Sequence, residues 1–178
     1  MSDFVIYALP VSAGMLGIAP LPGREGQAVV DLAHLSDWKP ALVITLTTQA
    51  EHARFGMVDL GPAMQERGAR WAHLPLADMS VPGPEQSGDW LRIEEKALSA
   101  LRGGGRVLIH CLGGCGRSGM AALRLMIRAG ELPEVALSRL RSIRPCAVET
   151  PAQMDWARGT KRRLSPGTFS AKTGPDRV

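Results

Sequence analysis

The sequence predicts an α/β fold, with a central, mostly parallel twisted sheet and helices on both faces. Three observations point to it. Short apolar runs alternate along the chain with segments of helical spacing. Runs such as residues 41–46 and 107–109 are apolar throughout, the pattern of strands covered on both sides. A Gly-rich loop joins the second of these runs directly to a helical segment, as expected at the carboxyl end of a parallel strand.

The elements follow in order. Residues 4–9 and 16–19 read as two short strands around Ser12-Ala13-Gly14, and residues 20–24 as a turn. Helical spacing through Val29, Leu32, Ala33 and Leu35 stops by Pro40. The buried strand 41–46 leads to a loop and helix opened by Thr47, Thr48 and Glu51, and residues 71–76 form another strand. The segment 84–101 is an amphipathic helix. Trp90, Ile93, Ala97 and Leu101 share a face, Pro84 and Glu85 suit its first turn, and Gly103-Gly104-Gly105 ends it. Strand 106–110 feeds the Gly-rich loop. The helix 117–129 is apolar nearly all round, hence central and buried, with Gly130 as its stop.

Residues 133–144 form a short helix with Ala136, Leu137, Leu140 and Ile143 inward, ended by Pro145. The helix 150–164 opens on a capping box, Thr150 with Gln153, and Pro151 at its first position. Residues 165–178, rich in Pro, Gly, Ser, Thr and Lys, read as a disordered tail. The chain of 178 residues is therefore expected to be a single domain over 1–164.

The chemistry is concentrated in His110-Cys111-Leu112-Gly113-Gly114-Cys115-Gly116-Arg117-Ser118. Converging loop N–H groups and the N-terminus of the following helix make an anion nest, and Gly113, Gly114 and Gly116 let the backbone turn that tightly. Such a field favours the thiolate, the nucleophilic form of Cys111. Arg117 offers a planar fork that fits two phosphate oxygens at once. Ser118 is placed to donate a hydrogen bond toward the sulfur.

A thiolate that attacks a phosphate ester needs a partner to protonate the leaving oxygen. Asp78, on a loop between Pro75 and Pro82 that follows a strand, is the only carboxylate between Glu66 and Glu85. It is the candidate general acid.

The Cys loop resembles the HCx5R[ST] signature of the cysteine-dependent protein tyrosine and dual-specificity phosphatases. The order Leu21-Pro22-Gly23, then Ile44-Thr45-Leu46 with Thr47 and Glu51, then Pro75-Leu76-Ala77-Asp78 with Pro82, then His110 to Ser118, is similar to the kinase-associated phosphatase branch. The resemblance covers about residues 15 to 160. It implies a protein tyrosine phosphatase-like fold and a phosphocysteine mechanism without cofactor or metal. Cys111 then corresponds to the nucleophile, Arg117 to the phosphate clamp, Ser118 to the hydroxyl that stabilises the thiolate, and Asp78 to the general acid. Leu112, Gly113, Gly114, Cys115 and Gly116 supply the backbone cradle, and His110 orients the nucleophile. The implied substrate is a phosphorylated protein or peptide, with phosphotyrosine and also phosphoserine or phosphothreonine accepted in a shallow pocket.

Other roles stay open from sequence. Gln153 either positions the hydrolytic water or only completes the capping box. Cys115 is either a small residue that fits the loop or a thiol that traps oxidised Cys111. Arg139, Arg141 and Arg144 read as a solvated face, the alternative being a set that holds an acidic substrate. Three cysteines at uneven spacing make no disulfide framework and suit a reducing compartment, so a cytoplasmic protein is expected. A net charge of +4 with few aromatics does not resemble a nucleic-acid platform, and no apolar run spans a membrane. The rival functions are a rhodanese-like sulfurtransferase, a catalytically inactive phosphate-binding module and an arsenate reductase.

Overall fold

The computed structural model describes residues 4–159. Five strands form one sheet: β1 (Tyr7–Val11), β2 (Gly14–Ala19), β3 (Leu42–Thr45), β4 (Arg70–His73) and β5 (Arg106–His110). Their spatial order is β1-β2-β5-β3-β4. β1 pairs antiparallel with β2, and every other pairing is parallel. Among the described residues, seven helices surround the sheet: α1 (Ala28–Asp37), α2 (Gln49–Arg54), α3 (Leu60–Glu66), α4 (Ser87–Arg102), α5 (Gly116–Arg128), α6 (Pro133–Ile143) and α7 (Pro151–Arg158). The predicted α/β class and its mostly parallel sheet are therefore observed. Among the described residues, no helix is long and apolar enough to cross a membrane.

Strand alternation divides the core in two. Leu16, Ile18, Leu42, Ile44, Val107 and Ile109 face α4, α5, α6 and α7. Ala19, Val43 and Leu108 face the other way, onto Leu35 of α1 and Leu60 and Met64 of α3. Each fully buried Leu or Ile contributes roughly 1.5–3 kcal/mol. α5 is buried at every position from Gly116 to Met126 except Arg124, as its composition predicts. Glu94 of α4 is buried and accepts from Trp90 Nε1 (2.8 Å), Arg124 Nε (3.0 Å) and Arg128 Nε (2.9 Å), which joins α4 to α5. Arg124 also stacks over the Trp156 ring at 4.6 Å and so reaches α7.

Several boundaries differ from expectation for identifiable reasons. β1 runs to Val11 and contains Pro10, which an edge strand tolerates. α1 buries Asp31 and Leu35 but exposes Val29 and Ala33, because the Asp31 carboxylate turns inward to accept from the Gly23 N–H at 2.8 Å. The segment expected to begin one helix at Pro84 forms a separate 3-10 turn, Pro84–Gln86, before α4. α3 has no counterpart in the sequence reading. It starts at Leu60 and carries Pro62 in its first turn, where the missing N–H costs nothing. The Thr150–Gln153 capping box is present at the start of α7. The expected continuation of this helix to 164, and the tail 165–178, lie outside the described residues.

Candidate active site

The sheet delivers the loop to its carboxyl edge. β5 ends at His110, and residues 111–115 turn into α5, which starts at Gly116. One glycine is required here, and a second is closely packed. Gly114 has φ +67°, and a Cβ on it would lie 2.6 Å from the Ala19 carbonyl carbon. A Cβ on Gly116 would collide with the Glu149 carboxylate. Cys111 is a free, buried thiol. Its Sγ lies 3.3 Å from Ser118 Oγ, the contact the sequence anticipates.

Arg117 is almost completely buried in the first turn of α5. Its Nη1 donates to Glu51 Oε2 (2.9 Å) and to the Leu76 carbonyl (2.8 Å), and its Nη2 donates to Glu51 Oε1 (2.7 Å). The Asp78 carboxylate sits 3.3 Å from Nη2. Arg117 Nε is buried and has no partner among the described residues. Burial alone disfavours ionisation of Glu51. The Arg117 bonds and charge, with the Thr48 N–H and hydroxyl, outweigh it and hold the carboxyl down at about 2. Burial likewise works against the guanidinium, but the Glu51 bond and the charges of Cys111, Glu51 and Asp78 raise it above its usual value.

Asp78 lies on the loop between β4 and the 3-10 turn and is exposed. The loop root is fixed by Leu76 N–H donating to the Leu46 carbonyl (3.1 Å) and Gln86 Nε2 donating to the Pro75 carbonyl (2.9 Å). Met79, next to Asp78, has φ +58°.

His110 is fully buried. Trp71 Nε1 donates to Thr45 Oγ1 (2.9 Å), and the same hydroxyl is hydrogen-bonded to His110 Nε2 (2.7 Å). Burial above all, with the nearby His52, His73 and Arg117 charges, pushes His110 down to about 3 against the opposing Cys111 backbone.

Two sequence readings are corrected. Arg144 does not belong to a solvated face. Its Nε donates to the Gly114 carbonyl (3.0 Å) and its Nη2 to the Gly113 carbonyl (2.9 Å), while its guanidinium stacks over Tyr7 at 4.4 Å. In a trans peptide the N–H points opposite the carbonyl, so this grip aims the N–H groups of Gly114 and Cys115 to the inner side of the loop. Cys115 is bonded to Cys146, thirty-one residues away. It is therefore not available as a thiol to trap Cys111, and the argument from three unpaired cysteines to a reducing compartment falls with it.

Gln153 is fully buried. Its Oε1 accepts from the N–H groups of Glu149 (3.0 Å) and Thr150 (3.3 Å). Its Nε2 is buried, without a partner among the described residues, beside Gly116. Cys111 and Asp78 line one cavity of about 380 Å³, together with Arg24, Arg54, Phe55, Met79 and Glu149. The roles of Glu51 and Arg144 carry no local signal, since Arg117 finds Glu51 sixty-six residues upstream and the Arg144 fork reaches the loop thirty residues away.

Comparison with known proteins agrees with this geometry. A family model described as a polymorphic toxin system DSP-PTPase phosphatase (Tc-R-P) matches residues 17–131. The chain is 27% identical over 157 residues to cyclin-dependent kinase inhibitor 3 of Mus musculus, spanning 84% of this chain and 73% of that one. The Homo sapiens protein of the same name is also 27% identical, over 158 residues and with the same coverage. Among solved structures, kinase associated phosphatase with its catalytic cysteine changed to serine superposes with a TM-score of 0.75 at 24% identity, covering 88% of this chain and 93% of that one. Tk-PTP in its active form gives 0.65 at 29% identity, covering 84% and 92%. These findings set aside the sulfurtransferase and arsenate reductase readings, and the chain belongs to the DSP-PTPase family of cysteine-dependent, dual-specificity protein phosphatases, similar to its kinase-associated phosphatase branch.

Proposed function

We propose that residues 1–164 form one phosphatase domain in which Cys111 is the nucleophile, Arg117 the phosphate clamp, Asp78 the general acid and Ser118 the group that stabilises the sulfur anion. The substrate is a phosphotyrosyl protein, with phosphoseryl and phosphothreonyl proteins also accepted. The observation that carries the reading is Arg117 Nε, a buried donor without a partner among the described residues, one residue before Ser118, whose Oγ lies 3.3 Å from Cys111 Sγ. Bound phosphate takes Nε, displaces Asp78 from Nη2, and so meets the guanidinium through a two-point fork.

In the first step the Cys111 sulfur forms a bond to phosphorus as the ester P–O bond breaks, and Asp78 gives its proton to the departing oxygen. In the second step water attacks the phosphocysteine. Asp78 takes a proton from that water, and the P–S bond breaks to return the thiolate. The N–H groups of residues 112–116 hold the equatorial oxygens throughout. Gln153 Nε2, unpartnered beside Gly116, is the donor available to orient the water.

The test is hydrolysis of a small aryl phosphate in EDTA. Wild type turns over. Cys111→Ser is inactive, and Asp78→Ala falls by roughly 10²–10⁴-fold. Undiminished turnover in Cys111→Ser overturns the assignment.

A further inference from the structure

We propose that Arg24 and Arg54 form a second anion subsite at the mouth of the catalytic cavity, selecting phosphopeptides that carry an acidic or second phosphorylated side chain beside the reacting residue. The inference rests on the proposed roles of Cys111 and Arg117.

Arg24 and Arg54 come from different elements yet line the same cavity as Cys111. Arg24 sits in the turn after β2, which is pinned by Leu21 N–H donating to the Leu112 carbonyl (3.2 Å) and by the Gly23–Asp31 bond. Its Nη1 lies over the phosphate loop, 3.7 Å from where a Cβ on Gly113 would stand. Its ion-pair partner is Glu25 at 3.0 Å, with both side chains well exposed, an exchangeable surface pair worth about 0–1 kcal/mol.

Arg54 is the last residue of α2, the helix whose Glu51 holds Arg117, so its backbone is fixed relative to the clamp. Among the described residues it makes no ion pair. Its guanidinium carbon lies 5.2 Å from the centre of the Phe55 ring. An arginine held against an aromatic face keeps its fork available for a carboxylate or phosphate.

The rest of the lining sets direction. Glu149, beside Gly116, and Asp78 also line the cavity. An acidic flank is repelled from Glu149 and drawn to the two arginines, so attraction and repulsion favour the same orientation. The reacting phosphate itself is met by Arg117 and the loop. The cavity holds further volume lined by Phe55 and Met79, room for a neighbouring side chain. A peptide fits better than an inositol headgroup, because residues 112–116 include no Lys or Arg to meet a vicinal ring phosphate.

The experiment compares kcat/KM on matched phosphotyrosyl peptides with neutral, Asp/Glu and second-phosphate flanks, for wild type, Arg24→Gln, Arg54→Gln and the double variant. Wild type prefers the acidic peptides by about tenfold, the effect of one charge-assisted bond. The preference shrinks in each single variant and collapses to within about twofold in the double variant, through KM. A wild type without preference overturns the proposal, as does a double variant that weakens on all peptides in proportion. A water-soluble phosphoinositide turned over faster than every peptide overturns the choice of peptide. Binding of the same peptides to Cys111→Ser, followed by fluorescence anisotropy, reads the selectivity without chemistry. Failure of the nucleophile assignment is thereby kept separate from failure of the subsite.

Discussion

Glu51 holds Arg117 at two points, Oε2 to Nη1 and Oε1 to Nη2, and leaves Nε without a partner among the described residues. The carboxylate thereby aims the clamp without blocking the edge that meets phosphate. Glu51→Gln is expected to lower kcat/KM by about 10–100-fold and stability by about 2–4 kcal/mol, as for a partly buried pair that loses one charge. The sign of the pH effect follows from the depressed carboxyl. Its stabilisation is complete above the ordinary value of 4.5 and is lost as pH falls toward about 2. Urea unfolding of wild type and Glu51→Gln should therefore give stabilities that converge across that window. A constant gap refutes the ion-pair account.

Arg144 fixes the outer carbonyls of the phosphate loop. Arg144→Ala should weaken inhibition by vanadate or phosphate by about tenfold, since two bonds that orient the loop donors are lost. Arg144→Lys should recover little, because a single ammonium cannot span both carbonyls. Full recovery by Lys would mean that charge, not the fork, matters.

The Cys115–Cys146 bond closes a loop across thirty-one residues and fastens the catalytic loop to the connection between α6 and α7. Its removal in Cys146→Ala should cost about 3–4 kcal/mol on the chain-entropy estimate. Cys146 is exposed, so a dithiol can reach it. Wild-type unfolding midpoints should fall when reductant is added, whereas those of Cys146→Ala should not respond. Equal responses in both would show that the bond contributes nothing.

His110 is buried as the neutral imidazole. With its folded value pushed down to about 3 and its unfolded value near 6.5, the unfolded chain binds the extra proton between those limits. Stability therefore rises with pH through that range, by up to about 1.4 kcal/mol per unit from this group alone. The His110 ring resonances should stay fixed from pH 7 down to about pH 4. A titration near pH 6 would contradict the buried neutral ring.

The parts of the site within one stretch of chain were legible. Cys111, the glycines, Arg117 and Ser118 act through spacing, and spacing is what a sequence displays. Asp78 was reachable as an isolated carboxylate on a proline-bounded loop. Glu51 and Arg144 were not, because a surface-type charged residue becomes structural only when the fold brings a partner to it. The pairing of Cys115 with Cys146 depends on the path of α6. In the fold, β3 and β5 were clear from unbroken apolar runs. α3 was hidden by Gly61 and Pro62, residues that normally end helices. Gly61 is needed there because a Cβ would enter the Trp71 ring, and Pro62 is harmless only because it falls in the first turn.

α2 has six residues, too few to persist as a helix by itself. The Thr48 capping box and the Arg117 pair keep it formed. Residues 49–54 are thus a small cooperative unit whose opening would release the clamp and both ends of its support while the sheet stays intact. Their amide protons should exchange with solvent well before those of β3 and β5. Ligands that engage Arg117 should slow that exchange, so that occupancy of the phosphate cradle is registered in the backbone of a helix that itself never touches the reacting phosphorus.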